Sequence, residues 1–196
     1  LFRSTKSKFE ILAMLMKLRQ IASRAKLEPF MEQLISAVEG GHKILVFSQF
    51  VKMLTILKDK LKEAGIPFCY LDGSTKDRLG ECNKFNHSPE IPVFLISLMA
   101  GGTGLNLTGA DMVIHYDPWW NPAVENQATD RAYRIGQTQF VQVHKFVTIG
   151  TIEEKIDKMI TMKSALSEEL IQSSKWLTEL GDQELMDLLV LDTSTI

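Results

Sequence analysis

The chain has only two cysteines in 196 residues, Cys69 and Cys82, and they lack the spacing of a metal-binding pair. Free buried thiols of a reducing, intracellular compartment are therefore expected rather than a zinc or disulfide framework. The four histidines, His42, His87, His115 and His144, are scattered over a helix end, a loop and strands, so no metal site is expected. No apolar run approaches the roughly 18 residues of a membrane helix, and no signal-peptide pattern opens the sequence. No membrane association is expected. Internal repeats and low-complexity linkers are missing as well. The mechanistically weightiest gap is that no GxxxxGK[ST] stretch cradles phosphates and no Asp-Glu pair follows a strand to hold magnesium. The chain alone is not expected to hydrolyse ATP well.

What remains is ordinary soluble composition, 45% apolar and 23% charged, at a length that suits one domain with a real core. A net charge of −2 conceals an uneven distribution. Residues 1–60 carry eleven basic against five acidic side chains, and residues 151–196 carry four against ten. Solvated faces of amphipathic helices account for this, as would a local basic surface facing a polyanion.

Apolar spacing predicts a helix over Phe9–Ile21, a second over Leu27–Val38 stopped by Gly40-Gly41, and a strand over Lys43–Phe47. Ser48 is placed to cap a helix from Gln49 to Ala64, which Gly65 ends. Phe68–Leu71 reads as a strand, and Ser74 with Asp77 has capping-box spacing before a helix running to about Phe85. Val93–Leu98, Met112–Tyr116 and Gln142–Thr148 supply three more strands. Thr151 and Glu154 form another capping box, opening a helix with Ile152, Ile156, Met159 and Ile160 on one side. Five strands alternating with helices imply an α/β fold with a mostly parallel sheet covered on both faces.

Ligands of such sheets gather at the carboxyl ends of the strands. Ser48-Gln49, Asp72-Gly73-Ser74, Ser97 to Gly104 and Asp117 to Asn121 each follow a predicted strand, so one edge collects four candidate segments. Gly101, Gly102 and Gly104 permit close backbone approach, either to an anion or merely in a tight strand-to-helix turn. Ser48 and Ser74 suit phosphate oxygens, or act only as helix caps. The run Ala123 to Ile135 has a helical pattern in which Gln127, Arg131 and Arg134 fall within roughly 60° of one another. Two guanidiniums on one side suit a multiply charged, oxygen-rich ligand.

At these residues the sequence resembles the SWI/SNF-type ATPases of helicase superfamily two. QATDRAYRIGQ is similar to that family's last helicase motif, SLMAGGTGLNL to the motif before it, and DPWWNP to the block between them. The family typically has lysine where Met99 stands, and a longer connection where Ser23-Arg24-Ala25-Lys26 runs directly into the next helix. The resemblance implies a RecA-like C-terminal lobe over 27–165, a helical extension over 1–26, and another over 166–196 that packs on the motor. An N-terminal RecA-like lobe would hold most of the ATP and Mg2+. It further implies that Arg131 and Arg134 act as arginine fingers, with Gly102, Gly104, Asn106, Gln127 and Asp130 near the nucleotide. Double-stranded DNA would meet Ser48, Gln49, Gly73, Ser74, Ser97, Gly101, Trp120 and Asn121. Trp120 takes the position associated with a wedge against DNA, while Trp119 packs; the turn-like setting permits one exposed ring. A DNA-bound protein complex is the implied substrate, in the cytoplasm or nucleoid of a prokaryote or the nucleus of a eukaryote.

Rival readings are an RNA-helicase or restriction-type translocase lobe and a degenerate lobe serving only binding or regulation. DPWWNP and RIGQ weigh against the first, and the intact Gln127, Arg131 and Arg134 against the second. A dinucleotide oxidoreductase needs GxGxxG after the first strand, which GGTGLN fits poorly.

Overall fold

The computed structural model describes residues 2–100, 104–134, 137, 140–164, 181 and 188–190. Its elements run α1 (Phe2–Ala25), α2 (Leu27–Glu39), β1 (Ile44–Ser48), α3 (Val51–Glu63), β2 (Phe68–Leu71), α4 (Arg78–His87), β3 (Val93–Ser97), β4 (Met112–His115), α5 (Pro122–Thr129), β5 (Gln142–Lys145) and α6 (Ile152–Ser164). Two compact units emerge, one from 1–26, 120–123 and 147–196, the other from 27–119 and 124–146.

The larger unit holds one five-stranded sheet in the order β2-β3-β1-β4-β5, with every pairing parallel. Its inner strands are apolar up to their last residues, Ser48, Ser97 and His115, because both faces are covered, and strand alternation sorts their side chains. Leu45, Phe47, Phe94, Ile96 and Val113 enter one core with Cys82 and Phe85 of α4 and Ala128 of α5. Ile44, Val46, Val93, Leu95, Met112 and Ile114 enter the other with Phe30 and Leu34 of α2 and Leu54, Leu57 and Leu61 of α3. This is the RecA-like α/β arrangement with helices on both faces. From β3 the chain crosses to the far side of β1, so the strand order reverses between β1 and β4 and opens a crevice at their carboxyl ends.

Helix ends follow the glycines. Gly41 has φ +84° and Gly65 φ +68°, a region that side chains with a Cβ rarely enter, and α2 and α3 stop there. Three local expectations need correction. Ser48 does not cap α3, which starts at Val51 after Phe50 with no side-chain cap; the Ser48 hydroxyl accepts from Phe50 N at 3.1 Å within the preceding turn. Asp77 caps α4 by accepting from Gly80 N at 2.8 Å, while Ser74 belongs to the turn before it. The helix expected over Ala123–Ile135 ends at Thr129, so Arg131 and Arg134 lie in the turns beyond it.

In the smaller unit the first turn of α6 is fixed much as its sequence suggests. Thr151 Oγ1 accepts from Glu153 N at 3.2 Å, and Glu154 reaches back to Gly150 N at 2.8 Å. The smaller unit also buries an ion pair: Lys26 Nζ lies 2.7 Å from Glu153 Oε2. The C-terminal extension expected over 166–196 lies almost wholly outside the described residues.

Candidate functional site

Because all five strands are parallel, their carboxyl ends share one edge, and the four predicted segments of the larger unit begin there. Ser48 and Ser97 are register partners at the ends of β1 and β3, and both are buried. Ser48 Oγ donates to Asp117, itself buried just past β4, and so bridges the switch point. After β2, the Asp72 carboxylate accepts from Ser74 N at 2.8 Å and from Ser74 Oγ at 2.6 Å, and Tyr70 donates to it at 3.0 Å. The Ser74 hydroxyl, then its amide, holds Asp72 below the usual carboxylate range. Each of these two serines therefore gives its hydroxyl proton to an aspartate. Gly73 and Ser74 are exposed at the tip of their turn, and Gln49 is half-buried.

The glycine-rich segment continues the edge after β3. Gly104 has φ +103°, which requires glycine, while Gly101 and Gly102 lie outside the described residues. Asn106 is exposed, with its carbonyl accepting from Asn86 Nδ2 at 2.8 Å. Met99 projects into solvent.

The two arginines have unlike surroundings. Arg131 is 5% exposed, with its guanidinium 5.9 Å from the Phe47 ring centroid, and its carbonyl accepts from Leu107 N at 3.1 Å. Burial first, and then the charge of Arg134, lowers its proton affinity. Nη1 of Arg131 is buried without a hydrogen-bond partner among the described residues. A buried, unpaired guanidinium nitrogen is costly unless something anionic completes it. Arg134, by contrast, is exposed. Gln127 and Asp130 are exposed too, and the Asp130 carboxylate pairs with neither guanidinium among the described residues.

Trp120 and Asn121 belong to the smaller unit. Trp120 is not the exposed ring the sequence allowed: it is 5% exposed, beneath the Arg19 guanidinium at 4.5 Å. Asn121 Oδ1 accepts from Ala123 N at 2.9 Å, as a residue opening a helix does. Trp119 packs against the core of the larger unit.

Beneath the edge lies one of the four scattered histidines, His115, for which no metal role is expected. His115 is buried, stacked on Phe47, with Nε2 2.8 Å from Thr129 Oγ1. Burial pushes its pKa down to about 4. The folded value lies below the ordinary 6.5, so the stabilisation is complete above about pH 6.5 and is lost as pH falls toward 4. Its full size is about 3 kcal/mol. A His115→Gln variant is expected to show about 2.5 kcal/mol less loss of stability between pH 7.5 and pH 4.5, measured by urea unfolding; parallel pH profiles would contradict it. Among the described residues no group of three or more His, Cys, Asp or Glu could hold a metal ion, and no helix is long and apolar enough to cross a membrane.

Comparison with known proteins agrees with this geometry. The helicase conserved C-terminal domain family matches residues 25–136. YwqA of Bacillus subtilis is 50% identical over 174 residues, covering 86% of this chain and 18% of that protein. The solved C-terminal domain of a Sulfolobus solfataricus SWI2/SNF2 ATPase is 36% identical with a TM-score of 0.70, over 96% of this chain and 83% of that one. The Sulfolobus solfataricus SWI2/SNF2 ATPase core in complex with double-stranded DNA is 39% identical with a TM-score of 0.75, over 95% of this chain and 43% of that one. The chain thus spans under a fifth of the length of the curated relatives it matches. It belongs to the SWI2/SNF2-type helicase family and corresponds to the C-terminal domain of that family's ATPases.

Proposed function

We propose that this domain is the second half of an ATP-driven motor that moves along double-stranded DNA and remodels protein–DNA complexes. The observation that carries the reading is the unpaired, buried Arg131 Nη1 beside the exposed Arg134. This pair fits a polyphosphate: one guanidinium has a buried nitrogen without an acceptor and the other is exposed and able to reach across a cleft. An N-terminal lobe of the same protein would hold ATP and Mg2+, and Arg134 would approach the terminal phosphoryl group as charge develops there. Gln127 and Asp130, exposed four residues before Arg131 and Arg134 respectively, and Gly102, Gly104 and Asn106 would line the nucleotide side.

Gln49, Gly73 and Ser74 at this edge, together with Gly101 of the glycine-rich motif, would track one DNA strand through phosphate contacts, which position without reading sequence. Ser48 and Ser97 are buried, and so act beneath the contact surface. Ser74 would have to leave Asp72 before donating to a phosphate. Likeness to a core solved with double-stranded DNA supports duplex over RNA as the track. The test is ATP hydrolysis by the full-length protein with duplex DNA, RNA or neither. Duplex DNA is expected to raise turnover by at least about tenfold, with half-saturation rising steeply with salt as phosphate contacts require. Equal stimulation by RNA, or none by either, would overturn the reading.

A further inference from the structure

Glu125 ties the turn after β4 to the end of β5 and has no part in the proposed nucleotide or DNA contacts. It is 2% exposed, although it sits on α5 among residues that face solvent. A glutamate is rarely buried so deeply unless both carboxylate oxygens are satisfied. Here Oε1 accepts from Trp119 N at 2.6 Å and Oε2 lies 2.5 Å from Lys145 Nζ. Neither partner is on the helix. Trp119 is in the turn that follows β4, and Lys145 ends the edge strand β5. One turn on, Thr129 is held by His115 of β4, and two residues later the Arg131 carbonyl accepts from Leu107 N. The helix is thus fastened to the turn and the edge strand at Glu125, and to the sheet at its end. A shift of the turn cannot leave the arginine-bearing segment in place.

We infer that Glu125 is a positioning residue that couples the turn after β4 to the segment carrying Arg131 and Arg134. Packing alone does not require a carboxylate at this point; an apolar side chain would join Val124 and Ala128 in the core at no charge-burial penalty. A carboxylate with two donors on separate elements instead fixes three backbones in one geometry. The inference rests on the proposed role of the two arginines, but the clamp itself can be tested apart from it.

In the full-length protein, Glu125→Ala is expected to lower DNA-stimulated kcat about tenfold, with the KM for ATP and the half-saturating DNA concentration within about twofold of wild type. Glu125→Gln keeps an oxygen that accepts from Trp119 N and is expected to stay within about threefold of wild type. Amide hydrogen exchange supplies the independent arm. Protection at Trp119 and at residues 130–134 should fall together in Glu125→Ala and return in Glu125→Gln. If Glu125→Ala does not fold, Glu125→Asp withdraws the carboxylate by one methylene while keeping a charge near Lys145, and should lose at least about threefold in stimulated kcat. Wild-type turnover in the Ala or Asp variant, equal losses in Ala and Gln, or exchange confined to Trp119 would overturn the inference. A wild-type protein that duplex DNA does not stimulate would sink the functional reading instead, and the exchange data would still decide the role of Glu125.

Discussion

Arg134→Ala in the full-length protein is expected to lower DNA-stimulated ATP hydrolysis by about 10³ to 10⁵, the range an arginine finger contributes. That corresponds to roughly 4–7 kcal/mol of barrier. DNA affinity should stay near wild type, because Arg134 is exposed beyond α5 rather than on the serine-glycine turns. Folding should also be unaffected, since the side chain supports no core. Arg131 makes the useful contrast, because it is buried with one nitrogen unpaired. Replacing a poorly satisfied buried charge by an apolar side chain of similar volume is often neutral or stabilising. Arg131→Met should therefore lose turnover while melting at or above the wild-type temperature. Steady-state hydrolysis and thermal unfolding of both variants decide the matter. Undiminished turnover in Arg134→Ala would remove the finger, and a destabilised Arg131→Met would make Arg131 a structural residue instead.

The contrast between these two arginines was invisible in the sequence. Helical spacing places Gln127, Arg131 and Arg134 side by side, but the helix ends at Thr129, whose hydroxyl is hydrogen-bonded to His115 Nε2. Beyond that point a turn aims each side chain separately. The sheet was legible for the opposite reason: β1 and β3 are apolar at nearly every position, and a strand buried on both faces leaves no other pattern. Glycine stops were legible too, since Gly41 and Gly65 adopt the positive φ that ends α2 and α3. Buried polar side chains were not. Glu125 looks like an acidic residue in a helical first turn, and Asp117 like the start of a loop. Only the fold brings Lys145 and Trp119 N to the one, and Ser48 to the other. Trp120 fails as an exposed ring for the same reason, because Arg19 lies about a hundred residues away in sequence.

Lys26 is the residue whose importance the sequence hides most completely, and its removal should produce the largest loss of stability. It follows α1 directly, at the end of the basic run Ser23-Arg24-Ala25-Lys26 that leads into α2. In the structure Lys26 Nζ meets both oxygens of Glu153, at 2.9 and 2.7 Å, across 127 residues of chain. The Glu153 carboxylate is 1% exposed and, among the described residues, has one other donor, Thr148 N at 3.0 Å. Lys26→Met leaves that carboxylate buried with a single neutral hydrogen bond. Breaking such a pair from one side costs about 3–5 kcal/mol. For a domain of this size the melting temperature should fall by roughly 6–20 °C. The double variant Lys26→Met/Glu153→Leu removes both charges together and should recover most of the loss, to within about 1–2 kcal/mol of wild type. Urea unfolding of the 196-residue chain and its variants separates the outcomes. If Lys26→Met unfolds within about 1 kcal/mol of wild type, the pair behaves as an exposed one and does not hold α1 against the start of α6. If the single variant is destabilised and the double recovers, the unit formed by the two ends of the chain closes on its buried charge, with Thr148 Oγ1 donating to the Ala22 carbonyl at 3.2 Å as the neighbouring tie.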